Sequence, residues 1–186
     1  TDFEHSGYKQ FGTRIQQDLI DAVNWAVKQG YADAQRVCIF GASFGGYSSL
    51  MAPIRAPGMF KCAVDYAGVS DYSIELHRSD TRRSAGGRNY FVQAIGTDDD
   101  TIRAISPIYH LDKFNIPVLI IHGKDDPRVP YENATELRAA LEKAGKPYEW
   151  LVRDKEQHGF YSEENNLAFY QALQAFLDKH IGNGVH

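Results

Sequence analysis

"RVCIFGASFGGYSS" occupies residues 36–49, and its first five residues read as a buried strand running directly into Gly41-Ala42-Ser43-Phe44-Gly45-Gly46. Turns are ordinarily built from Asn, Asp or Pro, so a serine fenced by glycines asks for another explanation. A strand-to-helix turn sharp enough to lift one side chain above a sheet holds that residue at strained backbone angles. Its neighbours two positions away must then be small. Gly41 and Gly45 meet that condition, and Gly46 lets the following helix pack closer. The Ser43 hydroxyl would stand at a helix start, where free N–H groups and the helix dipole favour developing negative charge. A glycine-rich turn with an idle serine is the plainer alternative.

Working outward, residues 14–29 place Ile15, Leu19, Ala22, Val23, Ala26 and Val27 at helical spacing, with Thr13 able to cap the start and Gly30 ending it. Strand 36–40 follows, then a helix over 44–52 that Pro53 and Pro57 break. "KCAVDYA" (61–67) predicts a second strand, and 70–112 is polar with short helices near 72–78, 90–95 and 100–105. "PVLIIHG" (117–123) is continuously apolar and so predicts a strand buried on both faces. A helix over 131–144, a strand over 148–152 and a helix over 163–179 complete the chain. This alternation implies an α/β fold, a parallel sheet with helices on both faces and right-handed crossovers. Ligands bind such sheets at the carboxyl ends of the strands, where the unusual residues fall.

The 186 residues fit one domain, and 43% hydrophobic with 24% charged residues is ordinary for a globular chain. A net charge of −4, with Lys and Arg scattered, gives no nucleic-acid footprint. No apolar run approaches membrane-spanning length, no leader resembles a signal peptide, and the compartment, cytoplasm or periplasm, stays open. "TDFEHSGYKQFGT" (1–13) reads as the middle of a loop, so the expectation is a C-terminal piece of something larger. Cys38 and Cys62 read as buried thiols acting as small hydrophobes rather than as a disulfide. No metal-ligand cluster and no cofactor motif stands out, and "TDDDT" (97–101) reads as a solvated loop or helix start.

A serine hydroxyl needs a base to become a nucleophile, and the base needs a carboxylate to fix its tautomer. In sheets of this kind the order is Ser, acid, His. "HGKDDPRVP" (122–130), after the third strand, offers Asp125 and Asp126, between which chemistry alone does not choose. "DKEQHGF" (154–160), after the fourth, offers His158. His122 ends a buried strand and reads as packed and hydrogen-bonded. His5, His77, His110, His180 and His186 lie in the wrong order or in other loops and helices.

"GASFGGY", "IIHGKDDPRVP" and "EQHGF" together resemble the catalytic domain of the prolyl oligopeptidase family of serine peptidases, nearest its acylaminoacyl-peptidase and dipeptidyl-peptidase branches. The resemblance runs from residue 14 to about 179. It implies the C-terminal portion of an α/β-hydrolase fold over residues 1–186, and a family pattern of His-Gly-x-x-Asp that selects Asp126 as the acid. The 83 residues from Ser43 to Asp126 and the 32 from there to His158 are similar to family spacing. It further implies an oxyanion donor at the Phe44 N–H and a substrate carbonyl held by Arg128. A pocket for the residue before the cleaved bond would be lined by Val69, Tyr72 and Val129, with Tyr47 also a binding candidate. No segment here matches the family's His-Gly-Gly-Pro-like stretch, which supplies a second oxyanion donor, or its β-propeller.

The expected activity is hydrolysis of peptide bonds in short peptides, without cofactor or metal. A carboxylesterase using the same residues, or a segment inactive by itself, are the competing expectations. Strand 36–40 is expected to lie at an open edge, available to a second copy or to a segment from outside the sequence.

Overall fold

The computed structural model describes residues 1–182. In chain order the elements are α1 (Asp2–Ser6), α2 (Arg14–Lys28), β1 (Cys38–Ala42), α3 (Phe44–Arg55), β2 (Cys62–Tyr66), α4 (Tyr72–Arg78), α5 (Ala85–Ala94), α6 (Asp99–Ile105), β3 (Val118–Gly123), α7 (Glu132–Lys143), β4 (Tyr148–Arg153) and α8 (Glu163–Ile181). Two 3₁₀ segments, Asp80–Arg83 and Pro107–Lys113, interrupt the polar stretch. The four strands are all parallel and lie in the order β1-β2-β3-β4.

Alternation along the central strands divides the core. Cys62, Val64, Leu119 and Ile121 face α8, where they pack with Phe169 and Phe176. Ala63, Val118 and Ile120 face the opposite layer and pack with Leu50 of α3 and Leu137 and Leu141 of α7. β3 is buried along its whole length, as its unbroken apolar run predicts.

Several local expectations give way to tertiary contacts. β1 ends at Ala42 rather than Phe40, because Gly41 and Ala42 pair with Asp65 and Tyr66 and so continue the ladder. α3 runs through Pro53 to Arg55; the missing N–H falls in the last turn, and burial of Ile54 in the core holds that turn in place. Residues 2–6 are helical, not loop, since Thr1 and Glu4 form a reciprocal capping box. Thr13 makes no cap; its hydroxyl donates to Gln10 Oε1 at 2.6 Å. α5 begins at Ala85 because Ser84 Oγ accepts the Gly87 N–H.

Cys38 and Cys62 are not free thiols. They are directly opposed in the β1–β2 register, with Cα atoms 4.7 Å apart, and form a disulfide. Sequence spacing could not reveal this, because the opposition follows from strand pairing.

Candidate active site

Ser43 follows the last residue of β1 and precedes α3, with φ +57° and ψ −119°, a backbone conformation L-residues rarely adopt. Its N–H donates to the Tyr66 carbonyl at 2.8 Å, which ties the turn to the end of β2. The two flanking glycines act differently. A Cβ at Gly41 would lie 2.3 Å from the Gly45 backbone, whereas one at Gly45 would meet nothing within 4 Å. Gly46 is also required, since its Cβ would fall 2.7 Å from Gly68 Cα where α3 crosses the end of β2.

The candidate acid and base come from the loops after β3 and β4. Asp126 is buried while Asp125 is exposed, which separates the two candidates. Asp126 Oδ1 accepts the backbone N–H groups of Arg128 at 2.8 Å and Val129 at 3.0 Å. Its Oδ2 lies 2.7 Å from His158 Nδ1, and His158 Nε2 lies 2.9 Å from Ser43 Oγ. A carboxylate only accepts, so the Nδ1 proton points to Asp126 and Nε2 is left to accept from the serine hydroxyl. The three side chains, separated by up to 115 residues, thus form one hydrogen-bonded line at the carboxyl ends of the strands.

The His158 loop is fastened to the acid loop beneath it. Asp125 N–H donates to the Glu156 carbonyl at 2.9 Å, and Lys124 N–H to the Arg153 carbonyl at 3.0 Å. Gly123 allows this approach: its Cβ would be 2.4 Å from the carbonyl oxygens of Glu156 and Gln157. The buried Glu156 carboxylate then gathers Tyr161 N–H at 2.7 Å, Ser162 N–H at 3.2 Å and Asn165 Nδ2 at 2.6 Å. Burial pushes Glu156 up, but these donors outweigh it and hold the carboxyl below its ordinary range. Burial also pushes the Tyr66 phenol up to about 12, and its oxygen accepts the Phe160 N–H at 2.5 Å.

His122, as its position predicts, is structural. It is 1% exposed, with Nε2 donating to the Val129 carbonyl at 2.9 Å, and burial lowers its pKa. Glu75 of α4 is buried close to the acid; burial, with the Asp126 and Asp80 charges adding to it, pushes its carboxyl up to about 8. His5, His77, His110 and His180 form no part of the line, and His186 lies outside the described residues.

A cleft of about 450 Å³ opens over Ser43 and His158 and is lined by Asp80, Pro127, Arg128, Gln157 and Tyr161. Arg128 is held there by Asp80, Nε to Oδ1 at 2.7 Å, while the Asp80 N–H donates to the Pro127 carbonyl at 2.7 Å. Val69, Tyr72, Val129 and Tyr47 do not line this cleft; each is under 10% exposed and packs in the core cluster behind the turn. Their apolar bulk is taken up by that core, where the Tyr47 and Tyr72 rings lie 5.1 Å apart. Phe44 heads α3, whose leading N–H groups have no intrahelical acceptor, and its ring packs on Phe11 at 5.1 Å. Asp80 and Tyr161 gave no sequence signal of a role, being polar residues in polar loops, and Glu156 and Gln157 gave none beyond their place in the EQHGF stretch. Gly123 did, as part of the His-Gly-x-x-Asp stretch.

Among the described residues no group of three His, Cys, Asp or Glu side chains could hold a metal ion, and no helix is long and apolar enough to cross a membrane.

Comparison with known proteins identifies the family and the fold. A family model described as prolyl oligopeptidase family matches residues 1–184. Dipeptidyl peptidase family member 6 of Caenorhabditis elegans is 30% identical over 184 residues, covering 96% of this chain and 25% of the relative. Dipeptidyl aminopeptidase BIII of Pseudoxanthomonas mexicana is 30% identical over 196 residues, covering 97% and 27%. Among solved structures, a puromycin-hydrolyzing peptidase of Mycobacterium tuberculosis superposes with a TM-score of 0.88 at 29% identity, covering 98% of this chain and 28% of that one. The chain therefore spans about a quarter of the length of the curated relatives it matches.

Proposed function

Since the chain belongs to the prolyl oligopeptidase family, we propose that it carries the catalytic residues of a serine peptidase acting on short peptides. Ser43 is the nucleophile, His158 the general base and acid, and Asp126 the group that orients the imidazole. The observation that carries this reading is the unbroken line from Ser43 Oγ through His158, 2.9 Å and then 2.7 Å, to a carboxylate fixed by two backbone donors.

In this mechanism Ser43 Oγ attacks the scissile carbonyl as its proton passes to His158 Nε2. Asp126 stabilises the imidazolium without taking the proton. The oxyanion develops toward the Phe44 N–H at the head of α3, where the helix dipole adds to the hydrogen bond; one such donor contributes roughly 100- to 1000-fold in turnover. Collapse breaks the C–N bond, His158 returns the proton to the departing nitrogen, and water hydrolyses the acyl-enzyme by the reverse steps. Arg128, steadied by Asp80, is placed to donate to a carbonyl of the acyl-side residues.

Labelling with a fluorophosphonate probe tests the reading. The protein is expected to label at Ser43, with the signal lost in Ser43→Ala. Asp126→Asn should lower kcat by about 10⁴-fold while leaving the fold intact by circular dichroism. Equal labelling of the parent and Ser43→Ala would sink the assignment. Parallel turnover of a peptide anilide and a nitrophenyl ester separates peptidase from esterase.

A further inference from the structure

The cleft over Ser43 does not end at the His158 loop. A second cavity, of about 630 Å³, runs along residues 154–165, and Gln157 and Tyr161 line both. Its wall is pinned in place by the buried Glu156 carboxylate, which holds Tyr161 N–H, Ser162 N–H and Asn165 Nδ2. The acidic groups of this trough are thereby occupied: Glu156 by those donors, Asp154 by Lys124 at 2.6 Å. The Lys155 ammonium, Gln157 carboxamide and Tyr161 phenol make no hydrogen bond or ion pair with other described residues. Tyr161 holds its ring 72% exposed at the junction of the two cavities. A preformed trough with free amide and phenol groups and an ammonium that acts on Asp154 only at a distance favours an extended ligand that carries a negative charge.

Chemistry orients the two cavities. When the acyl-enzyme forms, the C–N bond breaks and the nitrogen takes its proton from His158 Nε2, so the leaving amine departs on the face of His158. Gln157 adjoins His158 in the chain and, with Tyr161, lines both cavities, whereas Arg128 and Asp80 line only the first. We infer that the trough is the leaving-group side of the cleft and takes a short peptide ending in a free carboxylate. The departing chain crosses Gln157 and Tyr161, and its carboxylate meets Lys155. This rests on the catalytic reading of Ser43 and His158, and its test is read separately from that reading.

Acyl transfer gives the measurement. The purified protein is acylated with the p-nitrophenyl ester of N-acetylphenylalanine, and nitrophenolate release reports acylation. Ala-Phe or its C-terminal amide is then added at about pH 9, where both α-amines are unprotonated. The amine attacks the acyl-enzyme carbonyl, Ser43 Oγ leaves with a proton from His158, and chromatography compares the acetylated tripeptide with the hydrolysed acid. Ala-Phe is expected to half-saturate transfer at a concentration about two- to fivefold lower than the amide, the strength of an exposed ion pair. Lys155→Gly, which suits the φ of +61° at this position, should abolish the difference; Lys155→Arg should keep it and Lys155→Glu reverse it. Tyr161→Ala should weaken capture of both nucleophiles by the same factor. Equal capture of acid and amide by the parent, or a preference that survives Lys155→Gly, overturns the inference while leaving the triad standing. Absence of nitrophenolate release from folded protein overturns the catalytic reading, and the inference with it.

Discussion

A methyl group at position 41 would sit 2.3 Å from the Gly45 backbone, and no side-chain rotation relieves a clash between main chains. Gly41→Ala is therefore expected to cost at least about 1–3 kcal/mol in urea unfolding and to abolish fluorophosphonate labelling. Gly45→Ala, with open space around its Cβ, should stay within about 1 kcal/mol of the parent. The sequence motif makes these glycines look equivalent, and only the close pass of the α3 backbone over β1 distinguishes them. Asp65 carried even less signal, one acid inside an apolar strand, yet it is 1% exposed beneath the same turn and accepts the Gly68 N–H at 2.9 Å. Burial pushes its carboxyl up to about 7 from 3.8. The folded protein thus keeps a proton that the unfolded chain releases, so stability falls as pH rises from about 4 to about 7 and is level above. Asp65→Asn removes that penalty and keeps the acceptor for Gly68. Its stabilisation should be near zero at pH 4 and grow to as much as about 4 kcal/mol at pH 7.5, read by urea unfolding at both pH values. A difference that does not change with pH would contradict the burial argument.

At the scale of elements, the disulfide joins β1 to β2 across a sequence separation of 24, and the loop-closure estimate for such a link is about 3.5 kcal/mol. Unfolding with and without a thiol reductant should show a loss of up to that size. An unchanged midpoint would mean that the link constrains the unfolded chain little. Gly123 plays a comparable part for the base: Gly123→Ala should push the His158 loop off the end of β3 and lower kcat more than it raises KM, since Arg128 stays anchored by Asp80. The strands themselves were legible because each is an apolar run bounded by turn residues, and β3 and β4 fall within one residue of expectation. β1 was displaced by two residues because ladder pairing to Asp65 and Tyr66, a non-local fact, claims Gly41 and Ala42. The candidate line of Ser43, Asp126 and His158 was sought for a different reason: a nucleophile, acid and base come in a set order after the strands, here after β1, β3 and β4, and between Asp125 and Asp126 only the family pattern chose. The Asp80–Arg128 pair, the Glu156 clasp and the disulfide depend on which loops meet, and no local pattern encodes that.

For the molecule as a whole, β1 forms one edge of the sheet, and Phe40 is 49% exposed on it. An edge of this kind with an accessible aromatic pairs readily with another chain. Sedimentation velocity of the purified chain is expected to show concentration-dependent association that Phe40→Lys suppresses; a monomer at every concentration would count against a role for this edge. The opposite side of the sheet has a different mechanical character. Residues 118–160 supply both Asp126 and His158, and main-chain bonds from Lys124 and Asp125 rivet the two loops together. Ser43 comes instead from the β1–α3 turn, whose N–H is tied to the Tyr66 carbonyl at the end of β2. A substitution that displaces the 124–126 loop should therefore carry the imidazole and its carboxylate along together, so that the change falls on the spacing between hydroxyl and imidazole.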